Sequence, residues 1–195
     1  MRAFRFLSIV VVMIAAGLSA ARAQSDYPNK PIHLIVGFIP GSSADITARV
    51  LGNRMSQLLG QQIVVENKPG AGSSLAAEYV ARSPKDGYTL FIGSSANITN
   101  AAINPKLSFD MVKDFAPVAL VNSTAVILVA HPSVGVSSLK ELIALAKQKP
   151  GEINYASTGV GTAPHLSGEL LNMRAGLKLV HVPYQGSPQA ATDLL

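Results

Sequence analysis

Three short stretches concentrate glycine, serine and threonine: Pro40-Gly41-Ser42-Ser43-Ala44-Asp45, Gly93-Ser94-Ser95-Ala96-Asn97 and Ser157-Thr158-Gly159-Val160-Gly161-Thr162. Backbone N–H groups, hydroxyls and the positive end of a helix dipole together suit a carboxylate or phosphate without any fixed cation. Short polar loops also occur in every α/β protein, so one such stretch would decide nothing. Three of them after successive strands favour a binding site. Asp45 stands where a helical pattern starts. It can cap that helix, which is the preferred reading, or it can orient the loop or meet a ligand hydroxyl or amine. Gly159-Val160-Gly161 opens like a dinucleotide fingerprint, but Pro164 takes the third glycine's place and no suitably spaced acid follows.

The four histidines do not cluster. His33 and His181 fall in predicted strands and read as packed or strand-edge residues. His131 precedes Pro132 in a turn. His165, near the start of the helix after the third loop, is the histidine placed for a ligand. No convergent spacing of His, Asp, Glu or Cys predicts a metal site, no cofactor is expected, and no serine sits in a nucleophile elbow. Catalysis is disfavoured on these grounds.

The elements that must position these loops alternate. An apolar run over residues 32–38 predicts a buried strand. Ile46, Val50, Leu51, Met55, Leu58 and Leu59 then recur at helical spacing, with Gly60 at the C-cap. Strands are predicted over 62–67 and 88–92, with a short helix through Leu75, Ala76, Tyr79 and Val80 between them. Further strands are predicted over 116–121, 125–130, 153–156 and 178–182. Ser138 to Glu141 forms a capping box for a helix through Lys147, a second helix spans 164–174 with Gly176 as C-cap, and Pro188 opens a last one. Strands alternating with helices imply a parallel α/β sheet. Residues 121–124 join two strands with no helix between them, which predicts a crossover from a first lobe, 24–122, to a partial second lobe, 123–195.

Residues 1–23 read as a secretory leader: Arg2 and Arg5 lead an uncharged apolar run, and Ala21-Arg22-Ala23 offers a cleavage site after Ala23. The run falls short of the ~20 residues a membrane span needs. The chain has 16 Lys+Arg and 11 Asp+Glu. Loss of the leader's arginines leaves a mature chain of about +2, without a basic run, so nucleic acid is not an expected partner. The absence of cysteine means that a packed core, not disulfides, must supply the stability. The chain stops at Leu195 inside a helical pattern, which predicts that this is the front part of a longer protein.

Several motifs resemble one family. Tyr27-Pro28-x-Lys30-Pro31-Ile32, Phe38-x-Pro40-Gly41-x-x-x-Asp45-x-x-Ala48-Arg49, Glu66-Asn67-Lys68-Pro69-Gly70-Ala71-Gly72 and Asp86-Gly87-Tyr88-Thr89-Leu90 occur in order, followed by Asn104-Pro105. Glu141-Leu142-Ile143, Pro150-Gly151-x-Ile153-Asn154-Tyr155, His165-Leu166 and His181-Val182-Pro183-Tyr184-x-Gly186 continue the series. The chain is similar, from about Tyr27 to Leu195, to the Bug-type receptors, the periplasmic solute-binding proteins of tripartite tricarboxylate transporters. The resemblance implies a two-lobed binding protein of type II-like fold, with parallel-rich sheets flanked by helices and incomplete at its C-terminus. It implies a monomer whose partners are a small carboxylate and the membrane subunits of a transporter, or else a signalling protein. A periplasmic enzyme acting on a carboxylated substrate is the rival of a different class. Carried across, the ligand residues are Phe38, Pro40, Gly41, Ser42, Ser43 and Asp45, with Ser94, Ser95 and Asn97. From the second lobe come Ser157, Thr158, Gly159, Gly161, Thr162 and His165, with Tyr184 over the cleft. Two departures stand out: Ser42 replaces the second glycine of the first loop, and Gly37 replaces a usual proline, which is expected to free the strand end.

Overall fold

The computed structural model describes residues 27–195; the leader predicted over 1–23 lies outside them. Strand β1 (Ile32–Val36) lies at the centre of a three-stranded parallel sheet between β2 (Ile63–Asn67) and β3 (Thr89–Ile92). Its register pairs Ile32 with Ile63 on one side and His33 with Thr89 on the other. A central strand with both faces covered needs a continuous apolar run, and Ile32, Leu34, Ile35 and Val36 are all buried. His33 is the exception. It lies neither packed nor at an edge, but half exposed on the central strand and bonded to Glu66.

Helix α1 (Ser43–Leu59) packs on this sheet through Ala48 and Gly52 and ends at Gly60, whose left-handed backbone returns its N–H to the Ser56 carbonyl. A 3-10 turn (Ala71–Ser73) leads into α2 (Ser74–Ala81), and α3 (Ser95–Ile103) follows β3 directly. At the amino ends of the strands, Tyr27 donates to the Gly87 carbonyl, its ring meets Tyr88 edge-on, and Lys30 pairs with Asp86. The Tyr27–Lys30 and Asp86–Tyr88 motifs therefore clasp the end of the sheet away from the glycine-rich loops.

After α4 (Leu139–Gln148), a second sheet pairs β4 (Asn154–Ser157) with β5 (Val180–Pro183) in parallel, with α5 (Ala163–Ala175) between them and α6 (Ser187–Leu194) after them. Gly176 caps α5 in the left-handed conformation, as its position predicts.

The strands predicted over 116–121 and 125–130 are a correction. Neither stretch has regular structure, and Val118, Leu120 and Ile127 are exposed. Branched apolar residues give these runs strand propensity, but a ladder needs a neighbour, and no strand lies beside them among the described residues. Asn122 ties the segment to α1 through Thr47. None of the described helices is long and apolar enough to cross a membrane.

Candidate functional site

The first loop is built around Asp45, buried at the third position of α1. The helix cap is Ser42, whose Oγ accepts from the Asp45 N–H at 3.3 Å, so the cap expected of Asp45 belongs to its neighbour. Asp45 instead orients the loop. Its carboxylate accepts from the Gly41 N–H at 2.9 Å, from Asn67 Nδ2 at 2.9 Å, and from Arg49 at 2.9 and 3.0 Å. Asn67 also donates to the Phe38 carbonyl and accepts from Arg49, which closes a knot between β1, α1 and β2. Burial pushes the Asp45 carboxyl up; the bonds from Arg49, Gly41 and Asn67 and the Arg49 charge outweigh it and hold it below the ordinary 3.8.

The second stretch is not a loop over its whole length. Ser94 precedes α3, and Ser95 and Asn97 lie in its first turn. Asn97 is fully buried; its Oδ1 accepts from the Ser94 N–H at 2.9 Å and the Ser94 hydroxyl at 3.3 Å, while its Nδ2 donates to the Ser73 carbonyl at 3.1 Å. Its side chain is spent on holding α3 to the loop before α2. Ser43 and Ser95 are exposed at their helix starts, and Pro40 and Gly41 are exposed before α1.

In the third loop, Ser157 Oγ is buried and engaged three ways. It accepts from the Gly159 N–H, donates to the Gly159 carbonyl at 3.2 Å, and lies 2.6 Å from His181 Nε2. Thr162 also donates to the Gly159 carbonyl, at 2.6 Å. His165 accepts from the Gly161 N–H through Nδ1, and its ring lies 4.2 Å from that of His181, which in turn stacks on Tyr155. Burial and the nearby His165 keep His181 below its usual 6.5, with Glu169 opposing them. Ser157 and His181 thus form a structural pair under the loop. The Ser157 hydroxyl is buried, and the carboxylate in this cluster, Glu169, takes the Tyr155 hydroxyl rather than orienting His181 as a base. Tyr184, expected to cover the cleft, sends its hydroxyl to Asp193 on α6.

Loops from the two sheets meet. A Cβ on Gly72 would collide with the Val160 carbonyl, one on Gly161 with Asn100 Oδ1, and one on Gly186 with the Ile39 side chain. Asn100, on α3, in turn donates to the carbonyls of Ala71 and Gly72. The loop over 70–74 and Asn100 are contributors that sequence reasoning missed. The Gly70-Ala71-Gly72-Ser73-Ser74 composition matches that of the loops it did select. Gly37 also reads differently in three dimensions: it does not free the strand end but leaves room for Ser73, whose side chain occupies the space of a Cβ at 37. Two cavities lie away from these loops, one of about 340 Å³ beside Ile98, Phe109 and Val112, the other of about 540 Å³ beside Tyr79 and Arg82. Among the described residues no three His, Cys, Asp or Glu side chains form a metal set.

A model of the TctC family, described as the tripartite tricarboxylate transporter family receptor, matches residues 47–195. BugT of Bordetella pertussis is 38% identical over 194 residues, covering 98% of this chain and 60% of that protein. MatC from Rhodopseudomonas palustris with bound malate superposes with a TM-score of 0.81 at 33% identity, over 86% of this chain and 57% of that one. A second R. palustris protein, with adipate, does so with a TM-score of 0.76 at 34% identity, over 86% and 56%. The chain therefore spans about 60% of the length of these relatives. The family and its solved neighbours are binding proteins rather than enzymes. Two parallel α/β sheets meeting through glycine loops have the architecture of a two-lobed periplasmic binding protein, and the chain belongs to the tripartite tricarboxylate transporter receptor family.

Proposed function

We propose that the whole protein is an extracytoplasmic receptor that captures a small carboxylate between a first lobe, 24–122, and a second lobe, 123–195, for the membrane subunits of a tripartite transporter. One observation carries the reading: the two sheets' connections meet at Gly72–Val160 and Asn100–Gly161, and the one lysine in them, Lys68, is held by Glu66 and the Tyr79 ring. The arginine nearest the first loop, Arg49, is committed to Asp45. What remains to meet an anion is backbone N–H groups at the starts of α1, α3 and α5, with the hydroxyls of Ser43, Ser95 and Thr158. Such a site neutralises a carboxylate through dipoles and releases it more readily than a fixed ion pair would, which suits capture followed by delivery. Adipate and malate in two structural relatives agree with that chemistry.

The leader over 1–23, the lobe boundary near residue 122 and the ligand residues named from sequence belong to this proposal. Calorimetry of the full-length mature protein against dicarboxylates, tricarboxylates, amino acids and aromatic acids tests it. Saturable binding of one carboxylate is the expected result; a folded protein that binds nothing in the panel would sink the reading. Genes for two membrane subunits beside this one are expected for transport, and their absence would point to a signalling partner.

A further inference from the structure

We infer that the Ser73 hydroxyl is a ligand-contacting donor in the first lobe and gives its hydrogen bond to a carboxylate oxygen of the captured solute. This deepens the receptor reading and rests on it.

Ser73 is 0% exposed, yet its Oγ has no hydrogen-bond partner. Buried polar side chains are nearly always satisfied, so an orphan hydroxyl in an otherwise well-bonded region needs a reason. The neighbouring acceptors are already assigned. Asn100 Nδ2 takes the carbonyls of Ala71 and Gly72, and Asn97 Nδ2 takes that of Ser73 itself. Those two amides bond the loop's carbonyls, and the Ser73 hydroxyl bonds none of them.

The backbone is also held against its preference. Ser73 has φ +74° and Ala71 has φ +48°, a region that residues with a side chain avoid. Glycine would take the Ser73 conformation without strain, so a serine there retains its hydroxyl at a conformational cost. Room for it comes from Gly37, at the carboxyl end of the central strand, where any Cβ would overlap Ser73 Oγ.

The position suits an anion. Ser73 is the residue before α2, so the N–H groups of that helix start beside it, while its side chain makes no cap bond of its own. The preceding residue, Gly72, abuts the Val160 carbonyl, so this turn lies on the seam between the lobes. The hydroxyl is fully buried against Gly37, so the solute reaches it only if opening of the lobes exposes it.

The test uses the full-length mature protein with succinate, malate and adipate as probes, comparing wild type with Ser73→Ala and Ser73→Gly by calorimetry and by melting without ligand. Ser73→Ala is expected to melt no lower than wild type without ligand, because an unpartnered buried hydroxyl is removed, and to weaken binding about tenfold, which is about 1.4 kcal/mol. Ser73→Gly is expected to melt higher, because the left-handed backbone is relieved, and to bind as weakly as Ser73→Ala. Should Ser73→Ala fail to fold, Ser73→Gly carries the same comparison. Variants that bind as tightly as wild type would make the hydroxyl mere packing and overturn the inference, while the receptor reading stands. A folded wild type that binds none of the three probes, nor any other carboxylate, would remove that reading and this inference with it.

Discussion

Asp45 accepts bonds from three parts of the chain while nearly excluded from water, so its removal leaves several donors stranded at once. Asp45→Ala should destabilise the protein by about 2–3 kcal/mol, the usual loss when a charged acceptor is withdrawn from buried partners, read from a urea or thermal melt at pH 7. Because its folded pKa lies below the ordinary 3.8, its contribution is complete above that value and is lost as pH falls from there through the folded value. The wild-type advantage over Asp45→Ala should therefore shrink below about pH 4; an advantage constant down to pH 2 would refute the ionic account. The sequence showed an acid at a helix start. It could not show Asn67, which lies 22 positions away and reaches Asp45 only because β2 runs parallel to β1. Ser73 and Asn100 were illegible for the same reason: their roles arise where separate loops are brought together.

Among the elements, β1 was the most legible, since a strand covered on both faces must be written as an unbroken apolar run. Ile35 is 0% exposed on it, and Ile35→Ala should lower stability by about 2–5 kcal/mol, measured as a shifted urea midpoint at unchanged slope. Helix α3 was missed because Ser95–Ile103 is rich in Asn, Thr and Ile, poor helix formers, and is held by Asn97 and Asn100 bonding outward to the loop before α2. The runs over 116–121 and 125–130 erred in the opposite sense. Their composition favours a strand, but pairing is a tertiary property, and no neighbour is present among the described residues. Caps at Gly60, Ser138 and Gly176 came through because they depend on a few adjacent residues.

For the molecule as a whole, the close approach of the two lobes depends on residues without side chains. Gly161 has φ +80° and faces Asn100 Oδ1. Gly161→Ala should lower stability by at least about 1–3 kcal/mol, the penalty of a left-handed alanine, and its methyl group, meeting Asn100, should hold the seam apart. In the full-length protein, saturating malate or whichever carboxylate binds wild type should then produce less contraction by small-angle scattering than in wild type, with affinity reduced about tenfold. Equal contraction would show that the seam tolerates a methyl group. The strand pairings carry a further consequence, for the order of assembly. Ile32 must find Ile63 and His33 must find Thr89, whereas Asn154 pairs with Val180, so the described strands of each sheet pair within one stretch of chain. A nascent chain can pair β1 with β2 and β3 and form the Asp45–Asn67 knot before the ribosome has delivered β5.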